Sequence, residues 1–271
     1  MGDTDLETTI DVAALNVALA GTRFAGKVRF FESIGSTNTH AMAEGEAGAP
    51  DDMVYVADEQ TAGRGRGAHG WTSPPGSGLY VSVLLRPKIV PADALWLSLA
   101  AGLAVHDAVE RVTSLKADLR WPNDLLLGPR KFCGILSEMN AEVTRIRHMV
   151  IGIGINVLQR EFPQELKDVA TSLYIETERE WPRQELLAAL LGGLDREVNA
   201  LTAANGMEPA TASILERLER ASSWIRGKRV YVEEPNGYAG VTEGLDARGF
   251  LLIRTPEGLR TVYSGGVREQ R

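Results

Sequence analysis

A glycine-rich run between Gln60 and Trp71, with the sequence QTAGRGRGAHGW, constrains the fold of this chain more than any other segment. Its four glycines leave few side chains to pack, which disfavours both helix and core strand. The residues before it (52–58) and after it (79–87) alternate or cluster apolar side chains as strands do. The run is therefore predicted to be a mobile loop between two sheet strands that presents two guanidinium groups and one indole.

Such a loop has the chemistry to fold over an anionic ligand. Glycine allows backbone N–H groups to approach oxygen atoms closely, and arginine neutralises phosphate. The alternative is a solvated arginine-glycine linker without a ligand. His69, near the end of the run, is interpreted as a solvated loop residue and not as a catalyst.

The overall composition is that of an ordinary globular protein. The chain has 271 residues, 44% hydrophobic and 24% charged, enough for one large domain or a large and a small one. Its net charge of −7 argues against a nucleic-acid-binding protein but leaves room for a small basic pocket. Cys133 is the only cysteine, so no intramolecular disulfide can form, and a cytoplasmic location is expected. Cys133 itself is predicted to be a buried apolar residue.

The N-terminal segment offers no apolar signal core and at most one short helix, over residues 12–20. A helix-turn-helix domain needs about three helices, so a DNA-reading function at this end is not expected. The apolar stretch 94–109 contains Ser98, His106 and Asp107 and is interpreted as too short and too polar for a membrane span.

Three short polar residues, Ser36, Thr37 and Asn38, follow a predicted strand at 27–32 and precede a helical stretch. All three are good N-cap residues, and capping alone is one interpretation. The other is that hydroxyl and amide groups at a helix start bind a neutral polar ring.

A second polar pair lies in Trp121-Pro-Asn-Asp124. Pro122 interrupts strand pairing and forces a turn, which presents Asn123 and Asp124 at a strand end. The pair either caps the turn or faces Mg²⁺ and phosphate.

Two further predicted strands, at 131–139 and 145–157, carry glycines at positions 134, 152 and 154. If Gly134 and Gly154 are neighbours, the sheet has a slot there that another group can fill. A β-bulge or close helix packing explains the glycines equally well.

The remaining chain predicts long helices at 94–112, 182–201 and 209–223, with an irregular connection at 159–180. Short strands with turns at 246–249 and 255–258 then predict a small β-barrel-like module. The expected domains are residues 1–224 and 225–271.

Several short motifs follow one another in a specific order. They are Ser36-Thr-Asn38, Gln60, Gly63-Arg-Gly-Arg66 with Trp71, Trp121-Pro-Asn-Asp124, Lys131 followed by Gly134-Ile-Leu136, and Gly152-Ile-Gly-Ile-Asn156. This set, over about residues 28–271, resembles the biotin–protein ligases, of the type without an N-terminal DNA-binding domain. The resemblance implies an α+β fold: a central mixed or antiparallel sheet flanked by helices, like the catalytic domain of class II aminoacyl-tRNA synthetases, plus a small C-terminal SH3-like β-barrel.

The resemblance also implies a reaction. Biotin and ATP would form biotinyl-5′-AMP with Mg²⁺, and a lysine of a biotin carboxyl-carrier domain, as in acetyl-CoA carboxylase, would accept the biotin. No DNA or membrane partner is implied, and the choice between monomer and homodimer stays open. The implied catalytic residues are Arg66, Lys131 and Asp124, the last also a candidate metal ligand. Biotin would contact Ser36, Thr37, Asn38, Gln60, Gly63, Arg64, Trp71, Gly134 and Gly154, and the nucleotide Arg64, Arg66, Asn123, Lys131 and Asn156.

One departure from the family pattern lies in the loop. Family members often carry further basic residues after the second arginine, where this chain has Gly67-Ala-His-Gly70. A less cationic loop is expected to hold the adenylate less tightly.

Three alternatives to a biotin–protein ligase function remain from the sequence. A lipoate or octanoate ligase of related fold would act on a similar lysine, but the Gly-Arg-Gly-Arg loop and the Trp-Pro-Asn-Asp turn argue against it. A nucleic-acid binder using the loop is disfavoured by the net charge. A biotin-sensing repressor would need an N-terminal domain for which the sequence predicts too few helices.

Overall fold

The computed structural model describes residues 10–67, 69–204, 206–234, 236–263 and 266–270. The larger part of the molecule is built on one seven-stranded sheet. In chain order its strands are β1 (Val28–Ile34), β2 (Met53–Gln60), β3 (Gly78–Leu85), β4 (Asp118–Arg120), β5 (Asp124–Leu127), β6 (Arg130–Ala141) and β7 (Ile146–Asn156).

The sheet is mixed, with the spatial order β1-β2-β3-β7-β6-β5-β4. Only β1 and β2 run parallel, and every other neighbouring pair is antiparallel. All eight residues of the central strand β3 are buried, which is the pattern of a strand covered on both faces. This confirms the predicted mixed sheet.

Within the part of the chain that the structure describes, six α-helices accompany the sheet. They are α1 (Val12–Ala18), α2 (Thr37–Glu46), α3 (Ala94–Thr113), α4 (Leu173–Thr177), α5 (Arg183–Leu201) and α6 (Glu208–Ala221).

The two faces of the sheet are covered differently. Leu79, Val81 and Val83 of β3 join the main hydrophobic core with helices α3 and α5. Leu84 lies on the other face in a smaller cluster with Ala41 of α2. Because α2 is short, it covers only part of this second face, and the uncovered part is available for a cavity.

Helix α3 matches the helix predicted at 94–112 to within one residue. Together with the preceding 3₁₀ turn it spans Pro91–Thr113 and has the length and mean hydropathy of a membrane span. Two thirds of its most apolar window is buried inside the protein, which is typical of the central helix of a globular core.

The C-terminal module is a separate five-stranded antiparallel sheet. Its strands are β8 (Arg226–Glu233), β9 (Tyr238–Leu245), β10 (Leu251–Thr255), β11 (Gly258–Val262) and β12 (Gly266–Glu269). The spatial order is β11-β10-β9-β8-β12, which fits the predicted SH3-like barrel, and the last strand, β12, pairs with the first, β8.

The module contacts the large sheet at the turn between β4 and β5. The indole N–H of Trp121 donates to the carbonyl oxygen of Gly249 at 2.9 Å, and both Trp121 and Trp224 are buried. The guanidinium of Arg120 lies 5.4 Å from the Trp224 ring centre. The small module therefore leans on the larger one, while the proposed domain boundary at residue 225 stays a prediction.

Other differences from the sequence prediction are local. Helix α4 interrupts the connection expected to be irregular, because Ser172 caps it by accepting from the N–H of Ile175. Pro182 has an extended backbone and precedes α5, whereas it was expected as the first helical residue. Residues 1–9 lie outside the described residues, and the short predicted helix beyond them is α1.

Candidate active site

An open cleft lies on the face of the large sheet that α2 leaves uncovered. Residues from six separate segments line it: Ser36, Thr37, Asn38, Gln60, Arg64, Gly65, Arg66, Trp71, Tyr80, Val81, Ser82, Asn123, Lys131, Gly134, Ile135, Leu136, Gly152, Ile153 and Gly154. Most residues that the family resemblance singled out thus meet at one place.

The glycine-rich run forms a hydrogen-bonded hairpin over this cleft, and residues 60–73 are called the flap below. The N–H of Gln60 donates to the carbonyl of Ser73, that of Trp71 to Gly63, and that of Gly65 to His69. Gly67, at the tip, has a φ of 64°, which favours glycine. The flap is neither helix nor core strand, as predicted. Its side chains at Arg64, Arg66 and Trp71 line the cleft.

The predicted slot in the sheet exists and is filled by Trp71. Gly134 of β6 and Gly154 of β7 face each other directly in the ladder. A Cβ placed on Gly154 would lie 2.5 Å from the indole, and one on Gly134 would lie 3.1 Å from it. The ammonium of Lys131 lies 5.3 Å from the centre of the same ring. A ligand entering this part of the cleft therefore meets the indole before it meets the sheet.

One end of the cleft is neutral and rich in hydrogen-bonding groups. The side-chain oxygen of Gln60 accepts from both the N–H and the hydroxyl of Thr37, at 2.9 and 3.0 Å. The Gln60 amide donates to the Ser73 hydroxyl at 2.9 Å. Ser36 caps α2 as predicted, because its hydroxyl oxygen accepts from the N–H of Thr39. The hydroxyl proton of Ser36 has no acceptor among the described residues and can be offered to a ligand.

Behind this end, Ser82 and Asn38 form a buried floor. The Ser82 hydroxyl, which is fully buried, lies 3.0 Å from the Asn38 oxygen and 2.8 Å from the Thr37 hydroxyl. A Cβ on Gly152 would lie 2.2 Å from the Asn38 oxygen, so this glycine leaves the space that Asn38 fills. Gly152 therefore leaves room for Asn38, and Gly154 leaves room for Trp71. Both strand glycines allow side chains from other elements to pack closely on the sheet.

The opposite end of the cleft is cationic. The ammonium of Lys131 lies 2.6 Å from one oxygen of Asp124, and the guanidinium of Arg120 contacts the other oxygen at 2.5 Å. Burial alone would raise the pKa of the Asp124 carboxyl, but these two cations outweigh it and hold that pKa below its usual range. Asp124 does not line the cleft, and its position is that of a group orienting Lys131.

The two flap arginines point in different directions. The guanidinium of Arg66 donates to the side-chain oxygen of Asn123 at 3.2 Å, which links the flap tip to the β4–β5 turn. The Asn123 amide in turn donates to the carbonyl of Ile135 at 2.9 Å. Arg64 instead forms a two-pronged ion pair with Glu138, at 2.8 and 2.9 Å. Of the two flap arginines, it is Arg66 that lies on the Lys131 side of the cleft, where it contacts Asn123.

Besides Asp124, two predicted site residues lie outside the lining of the cleft, Gly63 and Asn156. Gly63 contributes its carbonyl to the flap ladder. Asn156 is buried, and its amide donates to the carbonyl of Thr171 at 3.0 Å. The backbone of Lys131 exchanges hydrogen bonds with Val169 and Thr171. Asn156 therefore supports the segment that brackets Lys131, and its predicted contact with nucleotide stays a prediction.

Cys133 is fully buried in the main core, as predicted. Burial raises the pKa of its thiol far above the ordinary range, so the thiol stays protonated and inert.

Ser82 and Glu138 are site residues that the sequence interpretation missed. Ser82 had a signal, since it is the one small polar side chain in strand β3, whose other side chains are aliphatic or aromatic. Glu138 had none, because a carboxylate in a half-exposed strand is ordinary.

The described residues do not build a dedicated Mg²⁺ site. They contain no cluster of three histidine, cysteine, aspartate or glutamate side chains. Asp124, the candidate ligand, is already neutralised by an ammonium and a guanidinium, which makes it a poor ligand for the ion.

The sequence of this chain is similar to those of known protein ligases. Residues 30–156 match the model of the biotin/lipoate A/B protein ligase family, and residues 226–267 match that of the biotin protein ligase C terminal domain. The biotin–[acetyl-CoA-carboxylase] ligase of Mycobacterium tuberculosis is 37% identical over 84% of this chain and 82% of its own length. The bifunctional ligase/repressor BirA of Bacillus spizizenii is 35% identical over 86% of this chain and 71% of its own length.

Among solved structures, the biotin protein ligase from Aquifex aeolicus in complex with biotin and ATP superimposes with a TM-score of 0.78. The sequence identity is 31%, and the match covers 90% of this chain and 100% of that one. The similarity extends over both the large sheet and the C-terminal module.

Proposed function

This chain belongs to the biotin/lipoate A/B protein ligase family and is a biotin ligase enzyme, and we propose that it activates biotin as biotinyl-5′-AMP and transfers it to a lysine of a biotin carboxyl-carrier domain. One observation carries the proposal. A neutral hydrogen-bonding end and a cationic end lie in a single cleft beneath an arginine-bearing flap. Biotin, with a neutral ureido ring and an anionic carboxylate, and ATP match these two ends.

The proposed first step forms a mixed anhydride. A carboxylate oxygen of biotin attacks the α-phosphorus of ATP, and the bond from that phosphorus to the bridging oxygen breaks. Pyrophosphate leaves with the bond electrons. In the second step the amine of the acceptor lysine attacks the acyl carbon, AMP leaves with its phosphate oxygen, and the amine loses a proton to solvent.

Residues at the neutral end are proposed to orient biotin. The Ser36 hydroxyl, the Gln60 amide and the Thr37 hydroxyl offer donors and acceptors of the kind a ureido group needs. These side chains hold one another in place before a ligand arrives, which lowers the entropic cost of binding. The apolar chain of biotin would lie along the Trp71 indole, which covers the glycine slot.

Residues at the cationic end are proposed to bring two anions together. The carboxylate of biotin and the phosphates of ATP repel each other, and this repulsion opposes the first step. Lys131, oriented by Asp124, and Arg66, oriented by Asn123, are the cations placed to offset it. Groups held in position in this way stabilise the charge that develops on phosphate oxygen without reorganising during the reaction.

The flap is proposed to protect the activated intermediate. An acyl adenylate is hydrolysed by water, so the enzyme has to exclude water until the amine arrives. The flap spans the cleft between Arg64 and Trp71, and its glycines allow it to open for exchange of ligands.

Mg²⁺ is implied by the family resemblance, but the described residues supply no three-ligand cluster for it. Lys131 and Arg66 are the protein's own cations on the proposed phosphate side of the cleft.

A carrier domain is proposed as the acceptor because relatives are named for it. The Mycobacterium tuberculosis and Paracoccus denitrificans relatives are named biotin–[acetyl-CoA-carboxylase] ligases. Lipoate is the competing ligand within the same family, and it lacks a ureido group to occupy the neutral end.

The decisive experiment measures pyrophosphate release with ATP and either biotin or lipoate, followed by transfer of label to a purified carrier domain. Biotin-dependent release and transfer are expected. Release that responds to lipoate and not to biotin would assign the other activity of the family. The variant that tests the cationic end is Lys131→Met. It is expected still to bind biotin, while its rate of pyrophosphate release falls by a factor of about 10²–10³.

A further inference from the structure

Glu138 lies behind the cleft and outside its lining, yet it holds two of the residues proposed to contact biotin. Its carboxylate accepts from both terminal nitrogens of Arg64, at 2.8 and 2.9 Å. One of its oxygens also accepts from the side-chain amide of Asn38 at 2.6 Å. Arg64 lies 74 residues away in sequence and Asn38 lies 100 residues away. Strand β6 thus connects the flap with the start of α2.

The contact with Glu138 determines which way the Asn38 amide points. A carboxylate can only accept hydrogen bonds, so the Asn38 nitrogen must face it. The Asn38 oxygen is then directed at the buried Ser82 hydroxyl, 3.0 Å away, and into the space left by Gly152. With the amide reversed, its oxygen would face the carboxylate, which is repulsive.

The same carboxylate anchors the flap at Arg64, inside the hairpin. The two ends of the flap, Gln60 and Ser73, are hydrogen-bonded to each other. A path of side-chain hydrogen bonds runs from Glu138 through Asn38, Ser82 and Thr37 to Gln60. The flap is therefore connected to one hydrogen-bonded floor both at Arg64 and at its base.

The ion pair is better placed than an ordinary surface pair. Exposed pairs contribute little because water competes with them and long side chains lose entropy. Here the carboxylate side chain is 26% exposed, the geometry is two-pronged, and a third donor comes from the buried Asn38. Charge-assisted hydrogen bonds of this kind are about twice as strong as neutral ones.

We propose that Glu138 is a positioning residue for the biotin end of the site: it orients the Asn38 amide and anchors Arg64, and so determines biotin affinity without contacting the reacting atoms. This inference rests on the proposed function. It names a residue that lies outside the motifs carrying the family resemblance.

The test is Glu138→Gln, which keeps the size of the side chain but removes its charge and replaces one acceptor by a donor. Biotin affinity, measured by calorimetry, is expected to fall at least about tenfold, since a charge-assisted contact is lost. The KM for biotin rises accordingly, whereas kcat at saturating biotin and the KM for ATP change less than about threefold. Glu138→Asp, one methylene shorter and unable to span both partners, is the second variant and is also expected to bind biotin more weakly.

The matched control is Glu142→Gln. Glu142 lies in the turn after β6 and pairs with Arg145 and Arg147 on the surface, away from the cleft. Its replacement is expected to leave biotin affinity unchanged. A double-mutant comparison tests whether Glu138 acts through Arg64. In an Arg64→Gln background, Glu138→Gln is expected to lower biotin affinity by a smaller factor than in the wild type.

The proposal is overturned if Glu138→Gln binds biotin within about threefold of the wild type. It is also overturned if kcat falls while the KM for biotin stays constant, or if the loss is equal in both Arg64 backgrounds. Failure of the proposed function looks different, because the wild-type protein itself would then not bind biotin.

Discussion

Trp71 packs its indole on the bare backbone of Gly154, so closely that a methyl group on that glycine would lie 2.5 Å from the ring. The two residues come from the flap and from the central sheet, and their contact closes one side of the cleft. The flap therefore rests on the sheet through a contact that only glycine allows.

Gly154→Ala tests the contact directly. The added methyl group overlaps the indole, which has to lift, and overpacking of this kind costs about 1–3 kcal/mol. Biotin affinity is expected to fall about ten- to hundredfold by calorimetry, because the flap no longer reaches its closed position. Gly192→Ala in α5, whose Cβ would approach only the end of Arg196 at 3.9 Å, is the control and should bind biotin as the wild type does. Equal affinity for both variants would contradict the role given to Trp71.

The flap is expected to be protected from protease by its ligands. Trypsin should cut within residues 60–78 in the free enzyme, at Arg64 or Arg66, and more slowly with biotin and ATP present. Arg145, which is exposed at the β6–β7 turn, provides an internal control whose cutting should not depend on ligand. Cutting rates of the flap that are the same in both states would refute the gating role.

Arg66→Gly is expected to release the adenylate. The variant loses the cation at the flap tip and the 3.2 Å contact with Asn123 that ties the tip to the β4–β5 turn. Free biotinyl-5′-AMP should then appear in a release assay, and lysines of bystander proteins should become labelled. Arg145→Gly removes an exposed guanidinium far from the cleft and should retain the adenylate. Retention by Arg66→Gly as well would remove Arg66 from this role.

Asp124→Asn is expected to destabilise the protein in a pH-dependent way. The variant leaves Lys131 and Arg120 without their shared carboxylate, and the loss at neutral pH should be about 2 kcal/mol, since both cations remain partly exposed. The folded-state pKa of Asp124 is depressed, so its stabilising effect is complete above the ordinary aspartate pKa of about 4. The effect is lost as the pH falls through the lower folded-state pKa.

Chemical denaturation of wild type and Asp124→Asn at pH 7 and near pH 3 provides the measurement. The difference in the free energy of unfolding should shrink towards acid pH. A difference that is the same at both pH values would show that the carboxyl is not ionised against the two cations.

Trp121→Phe tests how the C-terminal module is held. Phenylalanine cannot donate to the carbonyl of Gly249, and an unsatisfied buried acceptor costs about 1–3 kcal/mol. The free energy of unfolding should fall by that amount in a denaturant titration. Tyr263→Phe, on an exposed aromatic residue of the same module, should change it by less than about 0.5 kcal/mol. Equal effects would mean that the Trp121–Gly249 bond does not contribute to stability.

Local sequence signals predicted the elements of the fold well. Alternating or clustered apolar residues indicated the strands on both sides of the flap, and Pro122 indicated the turn that carries Asn123 and Asp124. Ser36 was recognisable as the cap of α2 because capping depends on residues three positions apart. Each of these features is decided by interactions between near neighbours in the chain, which a single sequence displays.

The motifs also indicated which residues meet, but not how they meet. Gly134 and Gly154 were expected to form a slot, and they do, yet that Trp71 fills it follows from the path of the flap. Asn156 was expected near nucleotide, which stays a prediction, and its amide holds the backbone at Thr171. In both cases the residue type was informative, while the partner depended on distant segments.

From its residues alone this chain is an α+β protein with a cationic glycine-rich loop, a polar helix start and a lysine-bearing strand, because these are properties of short segments and of their order. Three contacts arise only after folding: the attachment of Arg64 to Glu138, the position of the Asp124 carboxylate between Lys131 and Arg120, and the contact of the small module with Trp121. They join residues up to 128 positions apart, and such pairs are determined by strand register and by the packing of whole elements.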